Sequence, residues 1–313
     1  MPDLLAANRG SASLPVPPWG MAIGAMLSVQ LGSALSVGLI DSIGAGGTAW
    51  LRLTMGALIF IAIARPPLRS IRRADLPALL ALGIATGLMT TVFLAAIARI
   101  PLGTAVAIEF LGPLTVAAAR SHNRRALAWP ALALLGVIML TEPWHGAINP
   151  AGVGFAALSA IGWGSYIVLT QHVGDRFGGI DSLSITITIA AATAAVVGIP
   201  QASGHLSPSI IAAALGLAVL LPVLPFALEM LALRQMTPTA FGTLMALEPA
   251  IGLLLGLIVL AQTPSPTQLA GILLVVLAGA AAQRGGRRRR DDVPADVPPS
   301  SIPLAVEPER GRP

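Results

Sequence analysis

Long apolar stretches alternate with short polar segments along most of the chain. Each stretch is close to the ~20 residues that an α-helix needs to cross a bilayer. The stretches run over residues 19–40, 45–64, 75–98, 102–120, 126–141, 151–173, 180–200, 209–233, 238–260 and 266–283. The shortest, 126–141, is bounded by Glu142 and Pro143. The pattern predicts an all-α membrane protein with ten transmembrane helices.

Two of these stretches are interrupted in the same way, by a carboxylate close to a proline. Pro113 lacks the N–H that would bond the carbonyl of Glu109, and Pro249 directly follows Glu248. When the two prolines are aligned, both carboxylates fall on equivalent helix faces, about one turn apart. Charged side chains inside membrane helices usually face a partner or a water-filled cavity. We expect Glu109 and Glu248 to bind a coupling proton; the plainer interpretation is a buried residue satisfied by a neighbour.

The two halves of the chain resemble each other beyond these prolines. QLGSA at 30–34 resembles GWGSY at 162–166, and FLAAIARIPLG at 93–103 aligns with EMLALRQMTPT at 229–239. With five helices in each half, an odd number, the second half must insert upside down. Inverted repeats with interrupted helices at a central site are characteristic of secondary transporters. The expected regions are a disordered segment 1–18, five-helix repeats 19–141 and 142–283, and a disordered, Arg-rich cytoplasmic tail 284–313.

The distribution of arginines predicts the orientation in the membrane. If the N-terminus is cytoplasmic, only Arg99 falls in an outer loop. The arginines on the inner side are then Arg9, Arg65, Arg69, Arg72, Arg73, Arg120, Arg124, Arg125, Arg176, Arg234, Arg284 and Arg287 to Arg290. Such an asymmetry follows the positive-inside rule. We therefore expect a multi-pass protein of the bacterial inner membrane with both termini in the cytoplasm.

Composition narrows the classes of function. The chain is 55% hydrophobic and 11% charged, with a mean hydropathy of +0.81, whereas soluble domains carry about 25% charged residues. It has no cysteine and no lysine, which excludes disulfides, thiolate catalysis and a P-loop ATP site. The four histidines lie far apart in sequence, which argues against a zinc site. We expect no cofactor, no metal and no enzymatic activity.

Arg52 is the charge that most directly suggests substrate binding. It lies inside the second stretch beside the small residues Thr48, Ala49 and Gly56. Counted from the outer ends of their helices, Arg52 and Glu109 lie at the same depth, roughly 10 Å. Two interpretations remain open. Either a fixed ion pair locks the two helices, or Arg52 binds a substrate carboxylate bidentately and pairs with Glu109 when the site is empty.

Further polar and aromatic side chains complete the predicted substrate site. Gln30 in the first stretch and Trp163 and Tyr166 in the sixth are expected to line it with the two charges just described. A packing face is the alternative for the aromatic pair. Glu229 lies near the end of the eighth stretch, where a snorkelling or loop-bonded role is favoured.

Two motifs resemble a known family of transporters. AIEFLGPL at 107–114 and FGTLMALEP at 241–249, with LEMLAL at 228–233, resemble EamA-type members of the drug/metabolite transporter superfamily. Within these, the chain is most similar to the inner-membrane threonine/homoserine exporters, over about residues 19–283. The resemblance implies a ten-helix fold and proton-linked export of small hydrophilic amino acids. The inverted repeats predict alternating access as the mechanism.

Other functions remain as alternatives. They are export of another polar metabolite, flipping of a lipid-linked sugar, an intramembrane enzyme, and a non-transporting scaffold that acts through its Arg-rich tail. The absence of cysteine and of midmembrane histidine argues against the enzyme. The expected partners are a small-molecule amino acid, membrane lipid and protons, without nucleic acid, and oligomerisation is left open.

Overall fold

The computed structural model describes residues 17–65, 75–120, 124–145, 148–174 and 180–285. Within these ranges all regular secondary structure is helical, which confirms the all-α prediction for this part of the chain. The helices are α1 (Pro18–Ala64), α2 (Leu76–Ile97), α3 (Leu102–Glu109), α4 (Leu111–Ala119), α5 (Ala128–Thr141), α6 (Pro150–Gly174), α7 (Ile180–Ala202), α8 (Pro208–Ala218), α9 (Leu224–Leu233), α10 (Pro238–Met245), α11 (Glu248–Leu260) and α12 (Pro266–Gly285). The predicted disordered segment up to residue 16 and the tail beyond residue 285 lie outside the described residues.

Eight helical stretches in the described ranges are long and apolar enough to cross a membrane, as a multi-pass membrane protein requires. The first, α1, has 47 residues and leaves the helical conformation at Gly44 (φ 74°, ψ 166°). Glycine adopts positive φ readily, and the break divides α1 into 18–43 and 45–64, which match the first two predicted stretches. Helix α5 has 14 residues and, at about 21 Å, is shorter than the ~30 Å hydrocarbon core. The count of ten helices therefore stays a prediction.

The helices break at the two aligned prolines with the same backbone geometry. Helix α3 ends at Glu109, and α10 ends at Met245, three residues before Glu248 begins α11. The residues at the breaks, Phe110 (φ −63°, ψ −16°) and Ala246 (φ −62°, ψ −16°), are equivalent in the alignment. The following proline lacks the N–H that would continue the hydrogen-bond ladder. Each of the two carboxylates is therefore carried at an interruption of a membrane helix.

A third break separates α8 from α9. The chain forms a π turn over Val219–Val223, and Leu221 is non-helical (φ −158°, ψ 108°). The neighbouring carbonyl of Leu220 accepts a hydrogen bond of 2.7 Å from Ser28 Oγ of α1. Unpaired backbone groups are costly inside a membrane. The serine therefore compensates for part of the interruption.

Helices from the first half of the chain pack against helices from the second half throughout the bundle. Helix α1 packs on α7, α8 and α9, α2 on α6 and α7, α3 on α11, and α5 on α12. The α5–α12 contact is close, because a Cβ placed on either Gly136 or Gly271 would lie 2.6 Å from the other's carbonyl oxygen. Small residues permit such close approach between membrane helices. The apolar core accordingly contains buried residues from both halves.

One end of the bundle carries polar contacts between the halves, and we call it the Gln262 end. The contacts between the halves are Gly46 N–H to Gln201 Oε1 (2.8 Å), Leu102 N–H to Gln262 Oε1 (3.0 Å), and Gln268 Nε2 to the carbonyl of Leu140 (3.2 Å). A fourth contact at the same end, Ser265 Oγ to Glu142 Oε1 (2.6 Å), lies within the second half. At the opposite end, the start of α1 meets α9 and α10 through apolar side chains such as Met21, Leu231 and Phe241. Different interactions therefore hold the two ends together.

Candidate functional site

A cavity of about 250 Å³ lies inside the bundle, where α3, α9 and α11 meet α1, α2, α6 and α7. We call it the central cavity. The structure brings all six residues of the predicted site to its wall: Gln30, Arg52, Glu109, Trp163, Tyr166 and Glu248. Three of the seven contributing helices begin or end at an interruption. The breaks predicted from proline thus coincide with the space where the polar side chains meet.

Glu109 is held by a serine from another helix. Its carboxylate is half-buried at the end of α3, on the cavity wall. Ser159 of α6 is fully buried and donates its hydroxyl hydrogen to Glu109 Oε1. Because α6 packs directly on α3, the position of the donor is fixed. Glu109 therefore has a neighbour that satisfies it and also faces the cavity.

Arg52 is deeply buried, with 4% of its surface exposed. Its Nη1 donates to Ser36 Oγ at 3.2 Å, and Ser36 in turn donates to the carbonyl of Gly32 at 2.6 Å. Arg52 and Glu109 attract each other electrostatically, but in the described part of the chain they share no direct hydrogen bond or ion pair. A guanidinium has five N–H donors. Arg52 therefore retains donors that a ligand in the cavity can use.

Glu248 has a different environment from Glu109. It begins α11 and is 4% exposed. Gln30 of α1 donates from Nε2 to Glu248 Oε1 at 3.3 Å. The other two polar atoms of this pair, Gln30 Oε1 and Glu248 Oε2, are buried and have no hydrogen-bond partner among the described residues. Two residues of the cavity wall thus hold two buried acceptors without a donor.

The aromatic residues both pack and line the cavity. Trp163 contacts Phe110, at the α3–α4 break, edge to face, with ring centroids 6.2 Å apart and planes at 65°. Tyr166, one turn further along α6, also lies on the cavity wall. Edge-to-face pairs add to the stabilisation that apolar burial provides. Both interpretations of the aromatic pair therefore apply at once, because its packing supports the break that carries Glu109.

The position of Glu229 differs from the snorkelling or loop-bonded role that the sequence favoured. It lines the central cavity and is half-buried, rather than snorkelling at a helix end. One signal was present in the sequence, since the repeat alignment pairs Glu229 with Phe93, and Phe93 lines the same cavity. Ser159 shares a helical stripe with Trp163 and Tyr166, but Ser36 carried no such signal. Their importance depends on which helices pack together, and a single sequence does not give that.

No group of three or more His, Asp or Glu side chains arranged to hold a metal ion occurs among the described residues. The carboxyl groups of the cavity are instead associated with serine, glutamine and arginine. These partners suit an organic ligand with polar ends.

Comparisons with known proteins identify the family of the chain. The model of the EamA-like transporter family matches residues 150–281. The chain is 37% identical over 252 residues to the threonine/homoserine exporter RhtA of Escherichia coli (strain K12), with 79% of this chain and 85% of that protein covered. The RhtA of Salmonella typhimurium (strain LT2) is 36% identical over 256 residues, with 79% and 85% covered. The chain belongs to the EamA-like transporter family.

A solved crystal structure shares the fold of this EamA-like transporter. It is 20% identical, has a TM-score of 0.58, and the match covers 84% of this chain and 98% of that one. At this identity the likeness concerns the fold alone. Membership of the EamA-like family confirms the predicted family and the class of membrane transporter. The curated relatives are named as exporters, which are not enzymes.

Proposed function

We propose that this EamA-like transporter exports small hydrophilic amino acids of the threonine and homoserine type. The observation that carries the proposal is the central cavity, where an arginine and carboxyl groups face one space within a membrane bundle. A free amino acid has one carboxylate and one ammonium, so these side chains complement both of its charges. The names of the curated relatives support the same class of cargo.

The size of the cavity agrees with a small cargo. Its volume is about 250 Å³, slightly below the roughly 300–1,000 Å³ of pockets that hold drug-sized ligands. A small amino acid fits such a space together with some water. A lipid-linked sugar, the cargo of a flippase, is much larger. This comparison favours the amino acid.

Arg52 binds the substrate carboxylate in this proposal. The fork of a guanidinium matches a carboxylate bidentately, and Ser36 holds Arg52 in place. Glu109 and Glu248 bind the coupling proton or the substrate ammonium, and Gln30, Trp163 and Tyr166 shape the site. Charged side chains inside a membrane are energetically costly, and this assignment gives each of them a role in transport.

Alternating access is the proposed mechanism, with residues 19–141 and 142–283 as two inverted five-helix repeats. The pairing of α3 with α11 and of α5 with α12, one helix from each half, supports this division. The four polar contacts at the Gln262 end support a conformation closed at that end. Leu183 and Glu229 extend the cavity wall towards the opposite end. With the orientation that the arginines predict, the Gln262 end faces outwards and the cavity faces the cytoplasm.

The energy source in this proposal is the proton gradient across the bacterial inner membrane. The chain has no lysine and hence no P-loop for ATP. A carboxyl group inside the cavity provides a residue that can take up and release a proton. In the orientation that the arginines predict, both termini lie in the cytoplasm.

Counterflow tests the function. Purified protein is reconstituted into liposomes loaded with unlabelled threonine, and uptake of radiolabelled threonine or homoserine is measured. We expect uptake well above that of empty liposomes, and loss of uptake with Arg52→Met. Exchange of another polar metabolite, without exchange of threonine or homoserine, would show that the proposed cargo is wrong. Absence of all exchange by folded protein would contradict a transporter and favour the scaffold.

A further inference from the structure

We propose that Gln30 and Glu248 together form the subsite for the substrate ammonium, separate from Arg52, which binds the carboxylate. The inference rests on the proposed function and goes further, because it assigns one chemical group of the substrate to one pair of side chains. It also separates the roles of the carboxyl groups of Glu109 and Glu248. The ammonium goes to Glu248 and not to Glu109.

Gln30 and Glu248 are held together by one hydrogen bond, and each has an oxygen that lacks a donor. Gln30 and Glu248 are 2% and 4% exposed, and the hydrogen bond from Gln30 Nε2 to Glu248 Oε1 measures 3.3 Å. Gln30 Oε1 and Glu248 Oε2 nevertheless have no hydrogen-bond partner in the part of the chain that the structure describes. Buried acceptors without a donor are costly to keep. A ligand that brings N–H groups into the cavity removes that cost, and an ammonium has three N–H donors to share between the two oxygens.

The charges around Glu248 favour a positively charged ligand. The ionisable groups that act on it are the carboxyls of Glu109, on α3, and Glu229, on α9. Arg52 is engaged elsewhere, through its hydrogen bond to Ser36 and its attraction to Glu109. In the described part of the chain Glu248 thus has like charges near it and no cation of its own. The missing partner is a cation.

The position of Glu248 in its helix favours the negative charge that a cationic ligand would pair with. Glu248 lies in the first turn of α11, where the N-terminal end of the helix dipole favours an anion. Gly252, one turn later, lets Gln30 approach α11 closely, since a Cβ there would lie only 3.3 Å from Gln30 Oε1. Glu109 lies instead at the last residue of α3 and already accepts from Ser159. The two carboxyl groups therefore differ in both charge environment and hydrogen bonding.

This assignment defines the class of substrate more narrowly. Recognition of the carboxylate by Arg52 and of the ammonium by the Gln30–Glu248 pair requires both groups on one small molecule. Free α-amino acids meet this requirement. Molecules that lack the amino group, or carry it acylated, do not.

The test uses two analogues of threonine as competitors of radiolabelled threonine counterflow. One is 3-hydroxybutyrate, which lacks the amino group, and the other is threoninol, which lacks the carboxylate. We expect Glu248→Gln to weaken the apparent affinity for threonine by roughly tenfold or more, the usual effect of losing a hydrogen bond to a charged group. The same change should leave 3-hydroxybutyrate unaffected, so the preference for threonine over this analogue collapses. Gln30→Met serves as the second variant if Glu248→Gln does not fold.

Matched controls separate this inference from the proposed function. Glu109→Gln should keep the preference for threonine over 3-hydroxybutyrate, and Arg52→Met should reduce the preference over threoninol instead. If wild-type protein does not exchange threonine, the proposed function fails. If it does, but Glu248→Gln and Gln30→Met keep the full preference over 3-hydroxybutyrate, the subsite alone is wrong.

A metal cation is the other source of positive charge, and the same assay distinguishes it. Threonine affinity is measured in sodium medium and in choline medium. Equal affinities in the two media support the substrate ammonium as the occupant. A sodium dependence that Glu248→Gln abolishes, with the analogue preference unchanged, would overturn the proposal in favour of a sodium site.

Discussion

At the scale of single residues, Arg52 and Glu109 each have a serine as their own hydrogen-bond partner. Ser36 accepts from Arg52, and Ser159 donates to Glu109. The attraction between Arg52 and Glu109 therefore couples two groups that each already have a hydrogen-bond partner. Of the two interpretations that the sequence left open, this arrangement favours an arginine that is available to a ligand over a closed ion pair.

A double-mutant cycle measures this coupling. Arg52→Gln and Glu109→Gln should each lower the free energy of unfolding, because each leaves the opposite charge uncompensated in the membrane. The double variant should recover about 0.5–3 kcal/mol relative to the sum of the single losses, the usual range for residues in contact. Thermal unfolding of purified protein in detergent gives the comparison. Strictly additive losses would mean that the two charges do not interact.

Proton coupling at Glu109 is tested by Glu109→Gln. The amide can still accept the hydrogen bond from Ser159, but it cannot release a proton. We expect counterflow of threonine to persist and accumulation driven by a pH gradient to disappear. Asp41→Asn is the control, because Asp41 is exposed and lies outside the cavity. Full gradient-driven accumulation by Glu109→Gln would remove this residue from the proton path.

At the scale of elements, interruptions of helices position the site. Pro113 and Pro249 allowed two of the breaks to be predicted, and the structure has helix ends at Glu109 and Met245. The break inside α1 falls between two predicted stretches and needs only the single residue Gly44. The hydrogen bond from Ser28 to the α8–α9 break was not predictable. It depends on two helices that lie 192 residues apart in the chain.

The break at Gly44 should be sensitive to substitution. In Gly44→Ala the positive φ is strained, which costs about 1–3 kcal/mol, and the new Cβ would lie 2.5 Å from Gln201 Oε1. We expect a lower midpoint of thermal unfolding in detergent. Gly38→Ala is the matched control in the same helix, because nothing lies within 4 Å of a Cβ there. It should be neutral or slightly stabilising, and equal midpoints for the two variants would refute the role of Gly44.

At the scale of the whole molecule, the central cavity lies between two halves that contact each other through polar groups at the Gln262 end and through apolar side chains at the opposite end. The sequence singled out six residues for the substrate site, because charged and polar positions are rare in membrane helices. All six line the cavity, and their roles in binding stay predictions. It did not predict the partners of those residues. The hydrogen bond of Gln30 with Glu248 spans 218 positions, and the entry of Glu229 into the cavity depends on how α9 packs. Helix packing, which periodicity does not encode, explains both omissions.

The polar contacts at the Gln262 end should control access from that side. Gln201→Leu combined with Gln262→Leu removes two of the hydrogen bonds between the halves. Because each contributes about 0.5–1.5 kcal/mol, we expect a several-fold larger population open at this end. The chain has no cysteine, so Ser33→Cys in the cavity wall reports access to an impermeant thiol reagent added to cells from outside.

The control for this experiment is Gln235→Leu, an exposed position at the opposite end. It should leave the rate of labelling at residue 33 unchanged. Equal labelling rates in the Gln201→Leu, Gln262→Leu background and in the otherwise unchanged protein would show that these contacts do not form a gate.

The most direct test of the account asks whether the amino acid passes through the central cavity. Thr86→Cys places a thiol on the cavity wall, and Ser203→Cys places one at an exposed position beyond α7. Threonine counterflow is measured before and after treatment with a small membrane-permeant thiol reagent. The account predicts that modification blocks Thr86→Cys, that excess threonine protects it, and that Ser203→Cys and the cysteine-free protein stay active. Undiminished threonine counterflow through fully modified Thr86→Cys would contradict it.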